Sequence, residues 1–438
     1  MEDEGGRGQA PAVEEVTQPQ PEEIEETGGC ATLPVVAEEA WPEGVAGVAD
    51  EAWPEGCWAL ACDLWDGGAD EAVSGRCVVV SRELIFRVCD VQEPLQRGVP
   101  VETFPGCCML PGLIDAHVHM QFSEAYPLHE QPPLADMELL AAMEERALRM
   151  VQRGITCARD LGGCASFAAL TLRDRIARGD VVGPRLLCAG QPLTVPRGHC
   201  HQWGGAVSGP AEAEVAIERQ VARGADWIKV MATGGIRTAG SDPSASQFTI
   251  EELRHIVDVS ARHGRSVAAH AHGAAGVAAA VRAGCSTIEH CSWLGHGWRW
   301  GCVDDAVVQD MALRGTCVAP TAHANWARKP MGDSNFGRMA AALTCLRRSG
   351  VQLLASSDAG AIPGLPHDAL AGGVRVLASM AGLSAVEALQ AATSRSAAAL
   401  GLSDVCGRLA PGLAADILVV RGDPSRDLAA LAAAPRLV

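Results

Sequence analysis

Between Leu110 and Asp358 the chain returns repeatedly to one pattern, a few apolar or β-branched residues, in most cases closed by a polar or turn-forming one. The runs are LPGLIDAH (110–117), ITCAR (155–159), PRLLCA (184–189), DWIKVM (226–231), RSVAAH (265–270), STIEH (286–290), TCVAP (316–320) and VQLLASSD (351–358). Runs this short predict buried strands. Most are separated by stretches of helical character, such as MELLAAMEERALRMVQRG (137–154) and TIEELRHIVDVSARHG (249–264). In the second, Leu253, Ile256, Val257 and Val259 mark an apolar side, and Thr249 with Glu252 three residues on predicts a capping box. Eight strands with helices or long loops between them predict repeated βα units. That is an α/β fold, closed as a (β/α)8 TIM-type barrel or open as a doubly wound sheet. In the barrel, chemistry belongs at the carboxyl ends of the strands.

The flanks read differently. From Cys57 to Pro111 the runs WALACDLW, GRCVVV, ELIFRV and GCCML predict short strands separated by turns, and GRLAPGLAADILVV (407–420) resumes that style. Segments 57–111 and 407–438 are therefore expected to form the two parts of one small composite β domain flanking a barrel at 112–406. Residues 1–56 are expected to be an acidic, low-complexity extension, since EEVTQPQPEEIEE opposes collapse. EAWPEG occurs there at 39–44 and 51–56, two copies being too few for a solenoid; Trp41 and Trp53 are the candidates for docking on the body.

Charge and cysteine usage narrow the function classes. A formal charge of -18 argues against the phosphate backbone of a nucleic acid as partner, while a local basic pocket could still accept one carboxylate. No uninterrupted apolar stretch reaches membrane length, so no membrane partner is expected. The 17 cysteines are odd in number and scattered, without a CxxC pair, which fits a reducing, cytoplasmic compartment better than a disulfide scaffold.

The polar residues closing the runs carry the chemical signal. His117 and His119, two apart in DAHVH, share one side of an extended chain, either as hydrogen-bonded core histidines or as ligands of one borderline metal ion. His270 and His290 close two further runs, and Asp358 closes the last, where an unpaired buried carboxylate would be costly. Lys229 stands between Ile228 and Val230 in an otherwise apolar run. Its nitrogen either reaches water along an apolar stem or takes part in a metal site. In a barrel, His117, His119, His270, His290 and Asp358 would converge on one rim.

Taken together, PGLIDAHVHM, Lys229 in WIKVMATGG, His270 in AAHAHG, His290 in STIEHC and Asp358 in LASSDAG resemble the amidohydrolase superfamily. The nearest resemblance is to its imidazolonepropionase-like and Xaa-Pro dipeptidase (prolidase-like) branch, covering roughly Cys57 to the C-terminus. The resemblance implies a distorted (β/α)8 barrel with two divalent metal ions. His117, His119 and Asp358 would bind the more buried ion, His270 and His290 the second, and an N6-carboxylated Lys229 would bridge them. Histidine and carboxylate ligands suit zinc, with manganese, iron and cobalt also compatible. A homo-oligomer is expected from the resemblance.

Paired cations lower the pKa of water, and Asp358 could relay its proton to a departing nitrogen. The expected function is hydrolysis of an amide or other C–N bond in a small-molecule substrate by a metal-activated hydroxide. The substrate class is a dipeptide of Xaa-Pro type or an N-acyl amino acid. A cyclic C–N hydrolase or deaminase using one ion, and a noncatalytic binding or assembly protein, are the alternatives. In GQPLTVPRGHCHQWGG (190–205), His199 matches a recurrent loop histidine of the prolidase-like branch and is a candidate substrate contact; His201 is structural or a second contact. Arg237, in the segment after Lys229, is a candidate partner for a substrate carboxylate, and Arg159 with Asp160 reads as a supporting pair.

Overall fold

A computed structural model describes residues 53–164, 167–329, 331–332, 334–432 and 436–437. The expected extension therefore lies outside the described residues except for Trp53 to Gly56, and so does Trp41. Trp53 packs edge-on against Phe86 with ring centroids 5.8 Å apart.

Four strands open the described chain: β1 (Trp58–Leu64), β2 (Val73–Ser81), β3 (Leu84–Asp90) and β4 (Val101–Pro111). Seven more follow: β5 (Leu113–Val118), β6 (Ile155–Asp160), β7 (Arg185–Cys188), β8 (Trp227–Met231), β9 (Ser266–Gly273), β10 (Thr287–Leu294) and β11 (Cys317–Ala319). Near the other end lie β12 (Ile417–Arg421) and β13 (Arg436–Leu437). A six-stranded sheet has the order β13-β12-β4-β1-β2-β3. Within it β12 runs antiparallel to β4, in register from Ile417 opposite Pro111 to Arg421 opposite Cys107. Leu60, Val78, Val80, Ile85, Met109, Ile417 and Val419 pack together against this sheet, so residues more than 300 positions apart in sequence share one apolar cluster.

The remaining strands form a parallel three-stranded sheet, β5-β6-β7, and a parallel four-stranded one, β11-β10-β9-β8. Every residue of β5, β6 and β8 is buried, as expected of parallel strands covered by helices, including the polar Asp115, His117, Arg159, Asp160 and Lys229. Helices at Asp136–Gln152 and Ile250–Arg262 occupy the two expected stretches. The second begins with the expected capping box: Thr249 Oγ1 accepts the Glu252 N–H and Glu252 Oε2 accepts the Thr249 N–H. Such a cap contributes about 1 kcal/mol. Leu253, Ile256 and Val259 are buried on its inner face, while Val257 lies at the margin.

Single parallel bridges pair Leu193 with Val230, Val318 with Leu353, and Val118 with Ala359. The eighth expected strand, VQLLASSD, is thus reduced to isolated bridging rather than a continuous ladder. The cause is local: the Ser357 N–H donates to the Asp115 carboxylate (3.0 Å) instead of a neighbouring carbonyl, and Asp358 turns into a left-handed conformation with φ 60°.

Candidate metal and active site

The carboxyl end of β5 carries His117, with His119 just beyond; β8 carries Lys229, β9 carries His270 and His272, and β10 carries His290. Together with Asp358, His199 and Arg237, they line one cavity. The candidate residues drawn from the sequence therefore meet in one place. His290 (φ 64°) and Asp358 (φ 60°) both adopt left-handed backbone, which non-glycine residues seldom do. Strain of this kind persists where the surrounding structure overdetermines it, commonly at functional sites.

Two groups of side chains could each hold a metal ion: His117, His119 and Asp358, and His270, His272 and His290. In the first, Nε2 of His117 and Nε2 of His119 are 3.3 Å apart. Asp358 Oδ1 lies 3.4 Å from the former and 3.3 Å from the latter. Ligand atoms around a tetrahedral ion, each about 2.1 Å from it, lie about 3.4 Å from one another. The first group therefore has the dimensions an ion requires.

The outer partners fix which ring nitrogens face the cavity. His117 Nδ1 donates to Glu289 Oε2 (2.7 Å), and His119 Nδ1 donates to the Gly162 carbonyl (2.6 Å), leaving both Nε2 lone pairs directed inward. In the second group His270 Nε2 meets the Gly234 carbonyl, His272 Nδ1 meets Ser292 Oγ and His290 Nδ1 meets Thr321 Oγ1. Each ring thus keeps one nitrogen for the cavity. Burial first, then the neighbouring positive groups, hold the His270 and His290 pKa values well below the usual histidine range. Neutral imidazoles are the form a cation needs.

Lys229 is buried, and its Nζ has no hydrogen-bond partner. Burial, aided by Arg159 and opposed by Glu289, brings its pKa down to about 8. Glu289 cannot serve as its counterion because its oxygens are already committed. Oε2 accepts from His117, while Oε1 accepts from Arg159 Nη2 (2.9 Å) and from Thr287. Burial alone would raise the Glu289 pKa, yet Arg159, His117 and Lys229 hold it far below the carboxylate range.

Arg159 also donates from Nε to the Ala116 carbonyl and packs over Trp227, while Asp160 accepts the N–H groups of Met120 and Gly162. These contacts fit the supporting role expected for Arg159 and Asp160. Replacing Glu289 by glutamine would strand the Arg159 guanidinium in a fully buried position. Glu289→Gln is expected to cost on the order of 3–5 kcal/mol, read as a lowered denaturant midpoint.

His199 is buried; its Nδ1 meets Thr238 Oγ1 (2.8 Å), and its ring lies 4.6 Å from that of His270. A Cβ at Gly235 would fall 2.3 Å from His199 Nε2, so glycine at 235 makes room for the ring. Arg237 reaches the cavity from an exposed position. His201 is exposed and meets the Gly198 carbonyl through Nδ1, a loop contact.

Sequence reasoning passed over His272, Glu289 and His323. His272 had a legible signal, since HAH at 270–272 repeats the spacing of HVH at 117–119. Glu289 had only its adjacency to His290, and His323 had none.

Imidazole-rich groups at the carboxyl ends of parallel strands define an α/β protein with side chains suited to metal ions. The chain belongs to the amidohydrolase family, whose model matches residues 108–436. It is 28% identical to ochratoxinase of Aspergillus niger over 408 residues, covering 82% of this chain and 80% of that one. It is 26% identical over 393 residues to imidazolonepropionase of Cupriavidus pinatubonensis (strain JMP 134 / LMG 1197), covering 83% and 87% respectively. A crystal structure of a Xaa-Pro dipeptidase with methionine bound in its active site superposes with a TM-score of 0.75 at 25% identity. That match covers 87% of this chain and 98% of that one. The expected superfamily and branch are thereby borne out, and the chain is a hydrolytic enzyme with an α/β fold of the amidohydrolase kind. Among the described residues no helix is long and apolar enough to cross a membrane.

Proposed function

We infer that this enzyme hydrolyses the amide bond of an N-acyl amino acid or a dipeptide, Xaa-Pro included, at a site for two divalent ions, zinc being the expected metal. One observation carries the reading: Nε2 of His117, Nε2 of His119 and Oδ1 of Asp358 stand 3.3–3.4 Å apart in a cavity that also holds the unpartnered Lys229 nitrogen. The relatives' names, a dipeptidase and an ochratoxinase, support a small substrate.

In this reading His117, His119 and Asp358 would hold one ion, His270 and His290 the other with His272 beside them, and a carboxylated Lys229 would join the two. The ions, when bound, supply an activated water near neutral pH and polarise the scissile carbonyl. Asp358 takes up the proton of the attacking water and returns it to the departing nitrogen. Glu289 and the Gly162 carbonyl keep the His117 and His119 rings oriented. His199 and Arg237 contact the substrate, while Trp203 and Trp326 in the cavity wall limit the entry of water.

The same reading takes 112–406 as one distorted (β/α)8 barrel, supported by the bridges from Leu193 to Val230, Val318 to Leu353 and Val118 to Ala359. It takes 57–111 and 407–438 as one composite β domain, supported by the pairing of β4 with β12. The free thiols among the described cysteines are in keeping with a cytoplasmic enzyme, and a homo-oligomer is its expected form.

The test is amine release from a panel of dipeptides and N-acyl amino acids by the zinc-loaded protein. Exhaustive chelation is expected to abolish release, and zinc to restore it. Release that survives verified removal of metal would overturn the reading. A one-ion cyclic C–N hydrolase, the alternative suggested by the imidazolonepropionase relative, would show one ion per chain and an unmodified Lys229.

A further inference from the structure

We propose that His323 recognises the free carboxylate of the substrate and so sets a preference for acids over neutral amides. The identity of that ligand rests on the amide-hydrolase reading; the presence of an anion subsite rests on His323 itself. His323 lines the cavity, is 8% exposed, and has its Nδ1 buried with no hydrogen-bond partner. Buried polar atoms in native structures are overwhelmingly paired, so an orphan on a ring that lines a cavity calls for a partner from outside the chain.

The loop that presents it is held in place. It begins where β11 ends at Ala319, and Thr321 within it adopts φ 54° despite its branched side chain. The Thr321 N–H donates to Ser356 Oγ (2.9 Å), while its own hydroxyl meets His290. A Cβ at Gly373 would fall 2.4 Å from the Ala322 carbonyl, so the helix at Leu370–Ala381 backs closely against the loop. The His323 ring lies 5.3 Å from that of Trp326. The imidazole is therefore positioned before any ligand arrives, which reduces the ordering cost of binding.

The surroundings select the sign of the ligand. Arg237, which lines the cavity, and Lys329, both exposed, are the cations that act electrostatically on His323, against Asp358. Burial outweighs Asp358, with Arg237 and Lys329 adding smaller effects in the same direction as burial, and brings the His323 pKa down to about 4, leaving the ring neutral. A neutral ring carrying its proton on Nδ1 donates one hydrogen bond, and a carboxylate also satisfies Arg237. Ile236 and Met339 in the adjoining wall leave the rest of the ligand an apolar surface.

The probe is 3-benzoylpropionate, a ketone isostere of an N-acylglycine that has no amide to cleave, compared with its neutral primary amide. Calorimetric binding to the full-length zinc-loaded protein is expected to favour the acid by about tenfold or more, as a charge-assisted hydrogen bond delivers. His323→Phe is expected to erase that ratio, His323→Gln to retain part of it through its own N–H, and Arg237→Met to reduce it severalfold. Should His323→Phe fail to fold, His323→Gln decides: a ratio cut severalfold supports the proposal and an unchanged one overturns it. A folded His323→Phe protein with the wild-type ratio overturns it, as does a wild type that binds neither probe or binds both equally. Amine release from N-benzoylglycine and the wider substrate panel, followed in parallel, keeps the two readings separate. A preference for the acid without release from any substrate defeats the hydrolase reading and leaves the subsite standing; release without preference does the reverse.

Discussion

Asp358→Asn is expected to lower kcat by about 10³–10⁴-fold while KM changes by less than about threefold, the pattern of a group needed in the transition state. The carboxylate occupies a position that little but chemistry explains. Its backbone is held at φ 60°, and its Oδ1 lies 3.4 Å from the inward nitrogen of His117 and 3.3 Å from that of His119. Burial would favour the protonated acid, but the His119 hydrogen bond and the fields of His117, His119 and Lys229 hold its pKa below the usual carboxylate value. The group is thus kept as a base. Asparagine preserves the shape and one coordinating oxygen while removing the ability to accept a proton. Steady-state kinetics at matched zinc content separates these roles. A large rise in KM with kcat intact would assign Asp358 to substrate binding and remove it from proton transfer.

How much of this site could be read beforehand depended on whether its signal was local. His117 and His119 were legible because two residues along an extended chain return to the same side. Lys229 was legible because a lysine between Ile228 and Val230 contradicts its surroundings. Thr249 and Glu252 announced a helix start through their spacing, and both capping bonds are present. Glu289 was hidden because its importance arises from meeting Arg159, 130 positions away in the chain. His323 was hidden for the same reason: what makes it notable is an unpaired buried nitrogen on a ring that lines a cavity, a property of the packed molecule. The last apolar run has the composition of a strand, but a side chain from β5, Asp115, takes the N–H of Ser357 and interrupts the ladder. Periodicity reports which residues want burial; it does not report which carboxylate will intercept a backbone donor.

Lys229→Met is expected to reduce kcat by about 10³-fold or more, on the scale of losing a principal electrostatic element of an active site, and to lower the zinc content from two ions per chain. An ammonium at Nζ would be a buried charge, and the carboxylate acting most strongly on it, Glu289, already serves His117 and Arg159. Such a charge costs several kcal/mol. Carboxylation would remove it: the neutral amine nitrogen would form a bond to the carbon of carbon dioxide and give up one proton, leaving an anionic carbamate in place of the cation. The pKa near 8, set first by burial, leaves a substantial neutral fraction available for that step. Protein equilibrated with carbon-13 bicarbonate and zinc should therefore show one carbamate carbon resonance by NMR, absent in Lys229→Met. Methionine retains most of the side-chain volume, so packing around Ile228 and Val230 should survive and the melting temperature should change little relative to the loss of turnover. A wild-type protein with no carbamate resonance and one zinc per chain would instead identify a one-ion hydrolase, in which the buried amine must find its stabilisation from the substrate.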